Sequence, residues 1–401
     1  MHSLPIQTKP IAKDFKRIIG TFEGSSKGPT LVFTAGIHGN EPTGVFALTE
    51  VLNQLKGKEN EFSGKLIALA GNLEALRLQV RFLDTDLNRL FTLSKIQEFK
   101  NGKTPISIEE KEQVALLQEI ETILSNETGP FYFFDLHTTS SETSPFLTVN
   151  DSLLNRKFTK QYPLPIVLGI EEYLDGPLLS YINELGYVAF GFEAGQHTAT
   201  KSLENHVAFI YASLKYTGAL AEMNEVCEKS IKKLGRFTVE NHQFYEIIYR
   251  YQIEENSDFI MNGNYKNFQR IKKHEFLARK NSLAVNSQHS GYIFMPLYQG
   301  KGNDGYFIIR KIPKIFLILS KWLRNVSLDH FLVFLPGIHW KDNNKEALIV
   351  NLFIARFFAK QFFHLLGYRN QKKGSSHLVL YNREKASKKT LYQTTKWYRS
   401  S

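Results

Sequence analysis

Thr30-Leu31-Val32-Phe33-Thr34-Ala35-Gly36-Ile37-His38-Gly39-Asn40-Glu41 is the stretch whose reading decides the fold of this chain. Its first six residues are apolar or β-branched and read as a buried strand, which Gly36 ends. Pro42-Thr43-Gly44 then opens a helix in which Val45, Leu48, Val51, Leu52 and Leu55 recur with a 3.6-residue period. A histidine and a carboxylate three positions apart, just past a buried strand, can point at one spot. Imidazole nitrogen and carboxylate oxygen are both good zinc ligands.

Working outward, the pattern repeats. Residues 14–24 alternate weakly, as an edge strand would, and Ser25 to Pro29 is a turn. Further buried strands are expected at Lys65 to Ala70, ending at Gly71-Asn72, and at Phe131 to His137. Two more are expected at Pro165 to Ile170 and at Tyr187 to Phe192, the latter ending at Glu193. Between them, Glu109 to Leu124 is an amphipathic helix, with Ser107 and Glu110 as a capping box. Helices are also expected at Gly176 to Gly186, Lys201 to Leu214 and Met223 to Leu234. Strands alternating with helices predict an α/β fold, a mostly parallel or mixed sheet flanked by helices. In such sheets ligands bind beyond the carboxyl ends of the strands. His38, Glu41, Asn72, His137 and Glu193 all fall there, and that coincidence carries more weight than any single motif.

After about residue 236 the texture changes. Tyr245 to Ile253 alternates with period 2, and short strands follow near 274–278, 291–295 and 305–311, separated by Asn and Gly turns. From 311 on, helix and strand patterns return at Ile315–Trp322, Phe331–Phe334 and Leu378–Tyr381. Ala347–Leu366 reads as a buried helix capped by Gly367, and Lys385 to Ser401 as a frayed polar tail. The expected domains are 1–235, which holds the candidate site, 236–312 as a β-rich domain, and 313–401 as a basic α+β extension.

The bulk composition sets bounds. The chain has 401 residues, 42% of them hydrophobic and 13% aromatic, enough for a substantial core. Its single cysteine, Cys227, excludes an intrachain disulfide and suits a reducing compartment. Met1 to Ile6 lacks the basic and apolar regions of a signal peptide. No stretch reaches the roughly 18 uncharged apolar residues of a spanning helix; Ala347–Leu366 comes nearest but carries Arg356 and Lys360. A cytoplasmic protein is expected. Net charge is +11, but residues 301–401 hold 19 Lys and Arg against 5 Asp and Glu, a net +14, which leaves about −3 for the first 300. The basic character therefore lies away from the candidate site.

His38, Glu41 and His137 make two histidines and a carboxylate, a catalytic zinc set with one open position. The plain alternatives are a turn histidine and a satisfied core histidine. Glu193, beside apolar walls, is the candidate general base, since burial raises a carboxyl toward useful values; a first-turn helix acid is the alternative. In Asp84-Thr85-Asp86-Leu87-Asn88-Arg89, Asn88 and Arg89 suit a substrate carboxylate. Arg81 suits an oxyanion. Asp86 and Asp135 suit orientation of a histidine or an arginine. The alternative for this cluster is a solvated loop.

These motifs occur in the order of a known family. With Gly71-Asn72, Arg81, Asp84 to Phe91, Asp135-Leu136-His137-Thr138-Thr139 and Phe192-Glu193, the chain resembles the succinylglutamate desuccinylase/aspartoacylase family, relatives of the zinc carboxypeptidases, over about residues 15–215. The resemblance implies one Zn2+ per chain on His38, Glu41 and His137, with Glu193 as base. It implies Arg81 at the polarised carbonyl, and Asn88 and Arg89 at the substrate carboxylate. It implies an amide-cleaving deacylase of small N-acyl amino acids. Members also look to carry an arginine shortly before the base, for the acyl group's own carboxylate. Between Ile170 and Glu193 this chain has no Arg or Lys, which argues against N-acetylaspartate or succinylglutamate. Tyr306 is the candidate for closing the site. The competing readings are a carboxypeptidase acting on short peptides and a binding protein using the basic C-terminal region. No membrane partner and no nucleic acid are expected, and an oligomer is left open.

Overall fold

The computed structural model describes residues 14–400 apart from 198, 222–223, 237–243, 264, 327–331, 342, 344, 346, 352–359 and 374–376. An eleven-stranded sheet forms its frame. The first strands are β1 (Ile18–Glu23), β2 (Ser26–Ala35), β3 (Ser63–Ala70) and β4 (Phe131–Thr139). They are followed by β5 (Phe146–Val149), β6 (Ile166–Leu168), β7 (Val188–Gln196) and β8 (Phe244–Gln252). The order is β1-β3-β2-β4-β7-β5-β6-β8, continued by Asp304–Lys311, Gly291–Phe294 and Arg270–Ile271. Strands β3, β2, β4 and β7 run parallel, β1 is the expected edge strand and pairs antiparallel with β3, and β5 is antiparallel to β7. The sheet is mixed and flanked by helices, as the alternating pattern predicts.

Every residue of β4 is buried, and its side chains alternate between two cores. Tyr132, Phe134 and Leu136 face the helices Thr43–Leu55 and Thr200–Thr217; Phe131 and Phe133 face Ile108–Asn126 and Leu178–Glu184. Ser107 and Glu110 form the expected capping box. Cys227 is buried and free.

The β-rich region does not stand apart from this frame. Strand β8 pairs in parallel with β6, so the one sheet runs from the first part of the chain into the second. Three further strands, Phe259–Met261, Phe276–Lys280 and Leu283–Asn286, form a small separate sheet.

The C-terminal part departs from the sequence reading in two places. Ala347–Asn351 is a strand, paired with Ile338–Trp340 and His377–Asn382, and not the start of a helix. A short apolar run does not distinguish strand from helix by periodicity. Among the described residues of this span the helix is Lys360–Leu365, followed by Gly367 at φ +85°; residues 352–359 and Phe331 lie outside the described residues. The tail is not frayed either. Tyr392 and Trp397 are buried in the main core, where the Tyr392 hydroxyl donates to Phe131 O and accepts from Val188 N–H. The Trp397 indole N–H donates to the Tyr132 hydroxyl at 2.9 Å. Two aromatic anchors outweigh the polar composition around them, because large rings dominate burial energy. Among the described residues no helix is long and apolar enough to cross a membrane.

Candidate active site

The turn after β2 is locked by its glycines. Gly36 takes φ +70°, and a Cβ on Gly39 would lie 2.0 Å from the carbonyl carbon of Ala75. This presses the turn onto the helix Leu73–Leu78, and Gly39 N–H donates to Arg81 O at 3.1 Å. His38 and Glu41 are thereby fixed and buried. Glu41 lies between two imidazoles, its Oε1 2.9 Å from His38 Nδ1 and its Oε2 3.2 Å from His137 Nδ1. Thr138 N–H donates to the same Oε2 at 2.9 Å. One ligand atom from each of the three residues lies within 4.8 Å of the other two, and among the described residues no other such group occurs.

The far ring nitrogens face carboxylates. His137 Nε2 is 2.7 Å from Asp135 Oδ2, and Asp135 also accepts from the Thr34 hydroxyl at 2.7 Å. His38 Nε2 is 3.2 Å from Asp86 Oδ1. Arg81 reaches His38 Nε2 at 3.0 Å, Asp86 at 3.3 Å and Glu41 at 3.5 Å. Carboxylates behind ligand imidazoles fix ring orientation and raise basicity. Two inward nitrogens and a buried carboxylate, each oriented from behind, fit Zn2+ by their donor chemistry. Burial pushes the Glu41 carboxyl up, but His38 and His137 hold it well below the usual range. Burial likewise opposes His137, yet Asp135 and Glu41 hold its imidazolium well above the ordinary value. Asp86, raised by burial, is held well below its ordinary value by His38 and the arginines 81 and 89.

Glu193 stands beside this cluster, paired in register with His137 across β4 and β7. It is buried, and its Oε2 has no hydrogen-bond partner among the described residues. Burial pushes its carboxyl up to about 8; Glu41 and Asp135 add to that rise, while His137 and Arg81 oppose it. Glu193, Arg81 and the three candidate ligands all line a cavity of about 340 Å3.

The charged loop is held by a residue the sequence reading did not single out. Buried Glu109 accepts the backbone N–H groups of Leu83, Asp84 and Thr85 and the side-chain amide of Asn72. Asn72 also caps the helix Leu73–Leu78 and does not line the cavity. Arg89 does line it, 3.5 Å from Asp304, which also pairs with Arg250. Asn88 departs from expectation: it is absent from the lining, because its side-chain oxygen accepts the Leu178 N–H at 3.0 Å. Tyr306 departs as well. Alternation along Asp304–Lys311 turns Phe307 to the cavity and Tyr306 to the opposite face, where it stacks on Tyr251 and is fully buried.

Other lining residues also went unread. His197 Nδ1 lies 2.7 Å from the Thr138 hydroxyl, while its Nε2 lies 3.2 Å from Gln299, which accepts the Asn40 amide at 2.9 Å. Burial lowers the His197 imidazolium. Thr138 and His197 follow His137 and Glu193 closely in sequence, so proximity was a usable signal; Gln299 carried none. Leu174, Met295, Leu297 and Phe307 form an apolar wall.

Residues 27–212 match the family model described as the succinylglutamate desuccinylase/aspartoacylase catalytic domain. A succinylglutamate desuccinylase of Serratia proteamaculans is 29% identical over 108 residues, 27% of this chain and 31% of that protein. The match thus spans about a third of the length of the curated relatives. Among solved structures, a succinylglutamate desuccinylase/aspartoacylase from Rhodobacter sphaeroides is 17% identical with a TM-score of 0.55, covering 73% of this chain and 88% of that one. A succinylglutamate desuccinylase from a Silicibacter species is 16% identical with a TM-score of 0.53, covering 78% of this chain and all of that one. At these identities the structural likeness is one of fold.

Proposed function

We propose, from the match of residues 27–212 to the succinylglutamate desuccinylase/aspartoacylase catalytic domain, that this chain is a zinc-dependent hydrolase of the amide bond in small N-acyl amino acids. The observation that carries the reading is the buried His38–Glu41–His137 cluster with the unpartnered Glu193 carboxylate beside it. His38, Glu41 and His137 would hold the zinc. When bound, Zn2+ supplies Lewis-acid polarisation of the scissile carbonyl and of the attacking water. Asp135 and Asp86 hold the two imidazoles in place from behind. Glu193 takes a proton from the water onto its carboxylate and returns it to the leaving amine nitrogen, as general base and then general acid. Arg81, already aimed at the cluster, offers N–H groups to the oxyanion.

Substrate class follows from the walls. Arg89 receives the amino acid's carboxylate in competition with Asp304. The apolar lining residues Leu174, Met295, Leu297 and Phe307 favour an uncharged acyl group. The absence of Arg and Lys between Ile170 and Glu193 points the same way, away from a dicarboxylic acyl group. A cavity of about 340 Å3, lined in part by residues between 295 and 307, supports a small substrate over a peptide. We further propose that residues 1–235 carry the chemistry, 236–312 wall the site, and 313–401 form an extension. A carboxypeptidase acting on short peptides is the reading to beat. A hydrolysis screen of N-acyl amino acids beside short peptides, run with zinc-loaded protein and a Glu193→Ala blank, separates them. Turnover confined to peptides would overturn the deacylase reading.

A further inference from the structure

A second cavity, of about 600 Å3, shares no lining residue with the active site. Leu153, Leu154, Phe244 and Leu317 give it an apolar floor, and its lining includes six cations and no acid. Arg156 is neutralised by Asp151, and Lys389 by Glu384 at 3.0 Å. Lys157 lies over the Tyr398 ring, and burial together with the nearby Lys321 charge lowers its ammonium. Lys160, Lys314 and Lys321 make no ion pair among the described residues. Like charges gathered around an apolar floor call for an anion.

The helix Lys314–Asn325 forms one wall of this cavity and is amphipathic in the inverted sense. Its buried residues are Ser320 and Arg324, the latter ion-paired with Asp151 at 3.0 Å and Glu384 at 3.1 Å. Leu317 and Leu323 pack against the cores, but five other large apolar residues point outward: Ile315 is 70% exposed, Ile318 69% and Trp322 57%, with Phe316 and Leu319 also exposed. Their spacing of three and four makes one continuous stripe. A surface helix ordinarily turns such a stripe inward. Here polar groups anchor the helix, and the stripe lies open beside unpaired lysines.

An anionic lipid leaflet satisfies both features in one plane, since an interfacial helix buries its apolar face at the acyl boundary while lysines meet acidic headgroups. We propose that the helix Lys314–Asn325 and the adjoining basic cavity dock this chain on an anionic phospholipid membrane surface, with the cavity receiving a headgroup phosphate. The +14 net charge of residues 301–401 has the matching sign. This proposal is independent of the hydrolase reading.

The test is co-sedimentation of the full chain with vesicles of phosphatidylcholine alone and of phosphatidylcholine containing about a third phosphatidylglycerol. Binding is expected to the anionic vesicles only, fading steeply as salt is added. The Lys314→Glu/Lys321→Glu double variant and, separately, Ile318→Asp should each weaken that binding roughly tenfold or more. Both leave circular dichroism unchanged, because all three side chains are exposed. Absence of binding to anionic vesicles, equal binding to neutral ones, or variants that bind as well as the parent would each overturn the proposal. So would a dimer that Trp322→Glu dissociates in a protein that ignores vesicles, because a second copy would then be what covers the stripe.

Discussion

Around Glu41 the buried charges face opposite ones, whereas around Lys321 the cations face one another. At the carboxyl ends of β2, β4 and β7, carboxylates and imidazoles alternate from Asp135 through His137 and Glu41 to His38 and Asp86. Glu193 alone keeps a buried carboxylate oxygen without a partner there. At the second cavity, over an apolar floor, Lys160, Lys314 and Lys321 are exposed and make no ion pair among the described residues. A buried polar network with a gap at a carboxylate oxygen marks a place where chemistry is done, because an unsatisfied buried carboxylate is otherwise costly. Solvated cations beside an exposed apolar stripe mark a place where something docks.

The sharpest way to break this contrast is to remove that carboxylate. Glu193→Ala should lower kcat by roughly a hundred- to ten-thousand-fold, the usual worth of a general acid–base, with zinc content unchanged. Steady-state kinetics beside metal analysis check this, and retained turnover would remove Glu193 from the mechanism. Next comes the tail that ties the extension to the catalytic core. Trp397→Ala should cost about 3–5 kcal/mol, read as a lower urea midpoint. An unchanged midpoint would restore the frayed tail that the composition suggests.

A third test uses pH. In metal-free protein the Glu193 carboxyl sits near 8 against an ordinary 4.5. A carboxyl raised on folding stabilises the fold in its neutral form. That contribution is fully present below the ordinary value and is lost as pH rises through about 8. The loss is on the order of a few kcal/mol. Urea unfolding of chelator-treated protein between those limits should show it, and Glu193→Gln should flatten the slope. An identical slope in the variant would contradict the assignment. The smallest effect belongs to the orienting carboxylates. Asp135→Asn should weaken zinc affinity by about ten- to a hundredfold, measurable by competition with a chromogenic chelator.

What the sequence disclosed follows from how local each signal is. His38 and Glu41 share one turn, and His137 and Glu193 follow the strongly apolar runs of β4 and β7, which continue to Thr139 and Gln196, so their convergence was readable from where those runs stop. The helix start at Ser107 was equally local. Strand β5 went unread because four residues, Phe146–Val149, carry too little periodicity. Ala347–Asn351 passed for helix because an unbroken apolar run fits either element. Tyr306 was misplaced because the choice of strand face rests on register, which only the pairing with β8 fixes. Glu109, Gln299 and Asp304 act on loops far away in sequence, and nothing near them announces it.

The most direct test of the central claim is a hydrolysis assay of N-acyl amino acids on protein whose zinc content is measured in the same sample. The account predicts one zinc per chain, turnover that disappears on chelation and returns with Zn2+, a preference for uncharged acyl groups over dicarboxylic ones, and no turnover by the Glu193→Ala blank. Full activity in protein free of zinc, or equal turnover by that blank, would contradict it.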